Sequence, residues 1–222
     1  MLDRSPLSRF VTYAVLLAGV AIVALPVWVT FVASTQTLEQ VLAAPMSLAP
    51  GSRLFHNYAE VLAAGAGNSG APVVRMMTNS LVMALAIALG KIAISLLSAF
   101  ALIYFRFRFR QLAFWLIFVT LMLPVEVRIM PTYQVMSDLH LLDTYAGLTL
   151  PLIASATATF LFRQFFMTVP DELAEAAKID GAGPMHFFWH VLLPLSRTSI
   201  AALFVIQFIY GWNQYLWPLL VT

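Results

Sequence analysis

The chain lacks cysteine and carries few charged side chains. Of its 222 residues, 12 are Lys or Arg and 10 are Asp or Glu, whereas 61% are hydrophobic. A soluble domain would carry charge on about a quarter of its residues, so this composition excludes an ordinary soluble protein. The lack of cysteine excludes a disulfide-stapled secreted module and a Cys-ligated zinc or iron–sulfur centre. The net charge of +2 is too small and too dispersed to favour nucleic acid as a partner. We therefore expect the protein to lie in lipid.

Long uncharged stretches indicate an all-α, polytopic transmembrane helical bundle. A helix needs about 20 mostly apolar residues to cross the hydrocarbon core of a membrane. On that criterion we predict five spans, at about 10–34, 77–104, 111–134, 144–166 and 197–218. The first span is too long to resemble a cleaved signal peptide. Three aromatic residues near the end of the last span are expected to form a belt at the outer interface: Trp212, Tyr215 and Trp217.

The basic residues set the expected orientation of these spans. One side would carry Arg4, Arg9, Arg106, Arg108, Arg110, Arg163, Lys178 and Arg197, and the other Arg53, Arg75 and Arg128. By the positive-inside rule the first set is cytoplasmic, so we expect a cytoplasmic amino terminus. Segment 35–75 is then an extracytoplasmic loop, which its prolines and glycines predict to be irregular. Segment 168–195 becomes a cytoplasmic loop.

The cytoplasmic loop is the most patterned polar part of the chain. A proline and two acids at 170–172 are typical of the start of a helix, and Asp180-Gly181 is typical of its end. Three small or apolar residues of this helix share one face: Leu173, Ala176 and Ala177. Pro184 can start a second short helix, which we expect to stop at Pro194. Such a helix–turn–helix would let another surface come close, and an amphipathic hairpin lying on the membrane is the alternative.

These residues resemble the EAA loop of ABC importer permeases. Glu175-Ala176-Ala177 is followed after three residues by Gly181 and, after nine more, by Val191, any residue, and Leu193-Pro194. Val191 stands where the pattern has isoleucine. Segments 123–128, 142–151 and 210–218 extend the resemblance over nearly the whole chain. Within the carbohydrate-type permeases, they are similar to permeases of importers for sn-glycerol 3-phosphate.

The resemblance implies a single transmembrane permease domain over residues 1–222, without enzymatic activity, in the bacterial cytoplasmic (inner) membrane. It implies three kinds of partner: a second permease subunit, a dimer of ATPase subunits that binds ATP and Mg²⁺, and an extracytoplasmic solute-binding protein. The chain itself is expected to hold no cofactor and no metal. The family has a sixth span, and we interpret its absence here as a carboxyl-terminal truncation. The residues implied in coupling to the ATPases are Glu175, Ala176, Ala177, Asp180, Gly181, Val191, Leu193 and Pro194.

Two other patterns bear on nucleotide or metal chemistry. Gly90-Lys91 has neither the first glycine nor the Ser/Thr of a P-loop, so ATP hydrolysis is expected on partner subunits. Lys91 lies near the middle of a span, which makes it a functional candidate, although pairing with a neighbouring helix or snorkelling is the more ordinary explanation. His186 and His190 have helical i, i+4 spacing, but no third ligand supports a metal site.

Four polar residues are candidates for the solute pathway. Glu126 and Arg128 lie near the outer end of the third span, where an arginine would suit a phosphate-bearing solute. Interface anchoring or pairing is the alternative for both. Asn213 and Gln214 lie in the fifth span and are expected to face protein or water rather than lipid. Pathway lining and hydrogen bonding between helices are both compatible with this pair.

The sequence thus favours a permease subunit of an ATP-driven importer for sn-glycerol 3-phosphate or glycerophosphodiesters. A permease of the same type for a neutral sugar is the nearest alternative, because few pathway side chains select the solute. A secondary transporter or channel would be expected to carry an intramembrane acid relay, whereas Lys91 is the charged residue well inside a span. A membrane protein without a solute pathway is weakly disfavoured by Asn213 and Gln214.

Overall fold

Helices form every regular element in the part of the chain that the structure describes. The computed structural model describes residues 6–64, 72–120, 123 and 125–222, and gives only the backbone of Ala64, Val125 and Glu126. The all-α prediction is confirmed over these ranges. The α-helices are α1 (Pro6–Ser34), α2 (Leu38–Leu42), α3 (Leu54–Ala64), α4 (Val73–Tyr104), α5 (Arg110–Val119), α6 (Val125–Asp138), α7 (Tyr145–Thr149), α8 (Ala156–Phe166), α9 (Asp171–Ile179), α10 (Pro184–Phe187), α11 (Leu193–Leu195), α12 (Arg197–Trp212) and α13 (Leu216–Val221). A 3₁₀ turn follows α7 at Leu150–Leu152, and a π-helical turn joins α10 to α11 at Phe188–Leu192.

The chain divides into two compact units, Met1–Met77 and Thr78–Thr222. In the first unit, side-chain amides fasten the chain that follows α1. The Nε2 of Gln36 donates to the carbonyls of Ser47 and Ala49 at 3.0 and 2.9 Å. The Nδ2 of Asn57 donates to the carbonyls of Ser34 and Gln36 at 3.0 and 2.9 Å. These bonds satisfy carbonyls that no regular element pairs, so this part of the segment has a defined path.

The prolines and glycines of segment 35–75 predicted an irregular loop, but the segment contains the helices α2 and α3. A capping box starts α2: the backbone N–H of Gln40 donates to the Thr37 hydroxyl at 3.3 Å, and the N–H of Thr37 donates to Oε1 of Gln40 at 3.0 Å. The glycine-rich run at 65–70 lies outside the described residues. The extracytoplasmic location of the segment stays a prediction.

In the second unit, one face of the long helix α4 packs against the later helices. Its buried residues recur at three- and four-residue intervals between Met83 and Leu102, as expected for a helix covered on one side. One core cluster joins α4 to α8 and to the loop helices through Ile92, Leu96, Ala99, Phe100, Phe162, Phe166, Phe187, Phe188, Leu192 and Leu203. A second joins α4 to α6 and α13 through Met83, Ile87, Met136, Trp217 and Val221.

Small residues bring α4 and α12 close together. A Cβ added at Gly211 would lie 3.0 Å from the Cα of Ala84. The two backbones can approach this closely because position 211 lacks a side chain. Gly90 allows a different close contact of α4, with the chain after the 3₁₀ turn, because a Cβ there would lie 2.6 Å from Cγ2 of Ile153. Such contacts are typical of membrane helices, whose association depends on close packing rather than on expulsion of water.

The helices able to cross a membrane differ from the five predicted spans. By length and composition, α1 and α4 qualify in the described part of the chain. Two bent pairs raise the number to four: 145–152 with α8, bent by 47°, and 184–195 with α12, bent by 73°. The predicted third span is occupied by the shorter helix α5 and by α6, and residues 121, 122 and 124 between them lie outside the description. By length and composition the described residues thus give two to four spans, and the predicted third span contains two helices.

The predicted fifth span, 197–218, is interrupted as well. Helix α12 ends at Trp212, and α13 begins at Leu216. The cause is visible in Pro218, which has no N–H to donate and whose ring would clash with the carbonyl four residues earlier if the helix continued through it. The chain therefore leaves the helix before the proline and starts a new one.

Candidate functional site

The first arm of the loop at 168–195 forms as its sequence predicted. Helix α9 begins after Pro170, with Asp171 and Glu172 in its first turn and Lys178 in its last. Acids near the positive end of a helix and a base near its negative end stabilise it through the helix dipole. Leu173, Ala176 and Ala177 share one face, as predicted, and that face lines a groove.

Gly181 makes the turn between the two arms. Its φ is +75°, a left-handed conformation that favours glycine, and it follows the helix end predicted at Asp180-Gly181. The N–H of Ala182 donates to the carbonyl of Ala177 at 2.8 Å, and the N–H of Gly181 donates to the carbonyl of Lys178 at 3.0 Å. This pair of bonds is a Schellman motif, which satisfies the last carbonyls of α9 and needs a left-handed residue. The loop therefore owes its shape to one glycine.

The second arm does not stop at Pro194, contrary to the prediction. It passes from α10 through the π-helical turn into α11 and ends at Leu195, and the chain then bends by 73° into α12. The N–H of Leu193 donates to the carbonyl of Phe188, five residues earlier. A π-helical turn widens the helix by one residue, which accommodates a proline that cannot donate the usual bond. The break falls at Ser196, whose hydroxyl donates to the Leu192 carbonyl at 2.6 Å.

The two arms enclose an open groove of about 480 Å³. Five of the predicted coupling residues line it: Ala176, Ala177, Asp180, Gly181 and Val191. Glu175 is exposed beside the groove and has no ion pair among the described residues. Leu193 packs against the first core cluster instead, and Pro194 is half-buried next to it. The predicted coupling residues thus fall into two sets: those at the open groove, and the pair Leu193 and Pro194, which anchors the second arm.

The two loop histidines lie side by side at the groove. The rings of His186 and His190 stack with their centroids 4.0 Å apart, and Nδ1 of His190 lies 3.0 Å from the carbonyl oxygen of His186. Within the described ranges, no group of three or more His, Asp or Glu side chains could hold a metal ion. The expectation that this pair binds no metal stays a prediction.

A second site lies among the membrane helices of the second unit. It is a cavity of about 620 Å³ with walls from α4, α5, α6, α8 and α12. Its lining includes two cations, Lys91 and Arg128. Hydroxyl and amide groups on the same walls give it a polar surface: Ser98, Thr120, Ser155, Thr157, Thr159 and Gln207. A cavity of this size matches ordinary small-molecule sites.

Lys91 is held against an aromatic ring. Its side chain is only 6% exposed, and its Nζ lies 3.8 Å from the centre of the Tyr210 ring. This cation–π contact is the pairing that the ordinary explanation of Lys91 required, but the partner is a neutral ring. In the described part of the chain no carboxylate forms an ion pair with Lys91. Arg128 lines the same cavity.

The predicted pathway residues whose side chains the structure describes do not all line the cavity. Arg128 lines the cavity, whereas the side chain of Glu126 lies outside the described residues. Asn213 is exposed at the end of α12. The Nε2 of Gln214 donates to the Tyr210 carbonyl at 3.3 Å, which makes it a local cap of the same helix end. A pathway role for these four residues stays a prediction.

Sequence reasoning missed Gln207 and Tyr210 as cavity residues. They lie three residues apart on α12, so they share a face of that helix, and both line the cavity that contains Lys91. Gln207 is 6% exposed and is a polar residue inside an apolar run. That pattern was the available signal.

The predicted aromatic belt is wrong for one of its three members. Trp217 is 3% exposed and belongs to the second core cluster. Its Nε1 donates to the carbonyl of Gly147 at 3.2 Å. Tyr215 is 75% exposed and Trp212 38% exposed, so both remain available for the interface.

The fold and its sites define a class: an all-helical chain with apolar helices long enough to cross a membrane, a helix–turn–helix loop and a polar cavity among its helices. Residues 91–222 match the family described as "Binding-protein-dependent transport system inner membrane component". The chain belongs to this family. It is a permease subunit of an ABC importer and a component of the inner membrane, and it is not an enzyme. A permease of this class works with a partner ATPase and a solute-binding protein.

Two curated relatives are similar over the whole chain. The "sn-glycerol-3-phosphate transport system permease protein UgpE" of Agrobacterium fabrum is 60% identical over 223 residues, which cover 100% of this chain and 79% of the relative. The protein of the same name from Escherichia coli K12 is 58% identical over 221 residues, with the same coverage. Among solved structures, a bacterial ABC transporter involved in the import of the acidic polysaccharide alginate matches with a TM-score of 0.78. That match is 26% identical and covers 100% of this chain and 76% of the other.

Proposed function

We propose that this chain forms part of the pathway for sn-glycerol 3-phosphate or glycerophosphodiesters in an ATP-driven importer. The observation that carries the proposal is the cavity among the membrane helices, whose described lining has two cations and no carboxylate. An anionic solute fits such a lining better than a neutral one. The names of relatives with 58% and 60% identity support the same solute.

The cytoplasmic loop is proposed to dock on the ATPase dimer. The groove and the outward-facing Glu175 offer small side chains for close contact and a free carboxylate for pairing with a basic group. ATP and Mg²⁺ would bind to the ATPase subunits. Closure of the ATPases would move the loop, and the core cluster behind it would transmit that motion to α4 and α8. A second permease subunit would complete the pathway, and the amino terminus of this chain would be cytoplasmic.

Purification of the tagged chain from its native membrane in mild detergent tests the proposal. We expect mass spectrometry to find an ATPase, a second permease and a solute-binding protein that binds phosphate esters. A matched purification of the Glu175→Lys variant should recover less ATPase, since that change reverses the charge at the proposed contact. A binding protein for a neutral sugar would contradict the solute and leave the importer intact. Recovery of a homo-oligomer without an ATPase would contradict the whole proposal.

A further inference from the structure

We propose that Lys91 and Arg128 form a cationic subsite that binds the phosphate group of the solute, and that Tyr210 positions the Lys91 ammonium for this contact. The inference rests on the proposed function, because it assigns a phosphate site within the same permease. It concerns one cavity in the second unit, so every residue used in it belongs to a single compact part of the chain.

The burial of Lys91 is the first reason. Position 91 falls in the middle of α4, a helix long enough to span the membrane, and the side chain is 6% exposed. An ionisable side chain at that depth is expensive to keep and is retained where it serves a function. A tyrosine ring offers only the negative face of its quadrupole, which does not neutralise a full positive charge. An anionic ligand would neutralise that charge.

The second reason is that several groups which favour anions meet on the same cavity. Arg128 also lines it, and two like charges on one cavity repel unless an anion lies between them. A guanidinium fork matches two phosphate oxygens, and an ammonium can bind a third. The subsite therefore has the donors that a phosphate group needs.

The start of α8 adds to this positive surface. Its first residues, Ala156 and Thr157, line the cavity, and Ser155 caps the helix by accepting a hydrogen bond from the N–H of Ala158 at 3.2 Å. The first N–H groups of a helix have no partner within it, and they favour an anion near the helix start. Gln207, a 6% exposed residue of α12 that also lines the cavity, supplies an amide that can donate to a phosphate or to the glycerol hydroxyls.

The position of Tyr210 explains how the ammonium is held. Its ring lies directly over Nζ at 3.8 Å, and its helix α12 is fixed against α4 by the close contact of Gly211 with Ala84. A flexible lysine loses less freedom on binding a ligand when its end is already held in place. Tyr210 is thus a positioning residue, whereas Lys91 and Arg128 contact the solute.

The charge of the solute gives a test that a structural role would not reproduce. A phosphate monoester is mostly a dianion above its second pKa of about 6, and a phosphodiester is a monoanion. Removing one cation from the subsite should therefore penalise the monoester more than the diester. A variant that merely disturbs packing should affect both solutes alike.

The experiment uses the importer assembled with its second permease, ATPases and binding protein in proteoliposomes. Initial uptake of sn-glycerol 3-phosphate and of a glycerophosphodiester gives kcat/KM for each. Lys91→Met should lower kcat/KM for the monoester about tenfold, the size expected for one charge-assisted hydrogen bond. It should lower kcat/KM for the diester less, so that the ratio of the two values falls, and Lys91→Arg should restore most of the ratio. Arg128→Gln should act in the same direction. Tyr210→Leu should raise KM with kcat nearly kept, whereas Tyr210→Phe, which retains the ring, should do so less.

Arg163→Gln is the matched control. Arg163 also lies over an aromatic ring, 4.4 Å from the centre of Phe114, but it does not line the cavity. This change should leave the ratio of monoester to diester transport as it is. If Lys91→Met lowers kcat/KM equally for both solutes, or for neither, the subsite is wrong and the importer stands. If the wild-type importer takes up a neutral sugar and no phosphate ester, both the subsite and the proposed solute are wrong.

Discussion

Replacing Gly181 by alanine should uncouple ATP hydrolysis from transport without preventing membrane insertion. Gly181 has a φ of +75° and closes the Schellman motif at the end of α9. A Cβ at this position would meet nothing within 4 Å, so the cost of the change is the backbone conformation alone. For an L-residue in the left-handed region that cost is about 1–2 kcal/mol.

A penalty of this size changes the equilibrium constant between the native turn and other conformations of the loop by a factor of roughly 5–30. If the loop must hold this turn to dock on the ATPase, solute transported per ATP hydrolysed should fall by up to that factor. Gly181→Asn should recover part of the loss, because asparagine tolerates the left-handed region better than alanine does. The assay measures uptake and phosphate release in the same proteoliposomes.

Gly183 provides the control for this prediction. It lies two residues further along the loop with a φ of −71°, and a Cβ there also meets nothing within 4 Å. Gly183→Ala therefore adds the same methyl group without strain and should transport as the wild type does. Equal coupling in Gly181→Ala and Gly183→Ala would refute the argument that the left-handed turn is what the ATPase contact requires.

Three further predictions concern other contacts. Glu175→Gln should raise the ATP hydrolysed per solute imported while leaving membrane insertion intact. The change removes an exposed carboxylate that has no ion pair in the described chain and is proposed to pair with the ATPase. An unchanged stoichiometry would contradict this. Gly211→Ala should lower the Tm of the purified complex, since the new Cβ would lie 3.0 Å from the Cα of Ala84 and overpacking costs about 1–3 kcal/mol; an unchanged Tm would show that α12 can shift freely. Trp217→Phe removes the donor to the Gly147 carbonyl and should cost about 1–3 kcal/mol in thermal or denaturant unfolding; a neutral effect would show that another donor replaces it.

Features decided by local chemistry could be predicted from the sequence. The start of α9 at a proline followed by two acids and its end at a left-handed glycine both follow from interactions within a few residues. The shared face of Leu173, Ala176 and Ala177 follows from helical periodicity. These same residues carried the resemblance to the importer permeases.

Features decided by contacts between distant segments could not be predicted from the sequence. Nothing near Lys91 in the sequence identifies Tyr210 as its partner, because the contact depends on how α12 packs against α4. Trp217 was expected at the membrane interface from its position along a span, but the break before Pro218 turns it inward onto Gly147.

Uptake of radiolabelled sn-glycerol 3-phosphate into proteoliposomes tests the central claim most directly. The vesicles contain this chain with its second permease and ATPases, ATP is enclosed on the ATPase side, and the binding protein is added outside. We expect uptake that requires ATP, the binding protein and this chain together. Uptake that proceeds without ATP, or an assembled complex that hydrolyses ATP and accumulates no phosphate ester, would contradict the account.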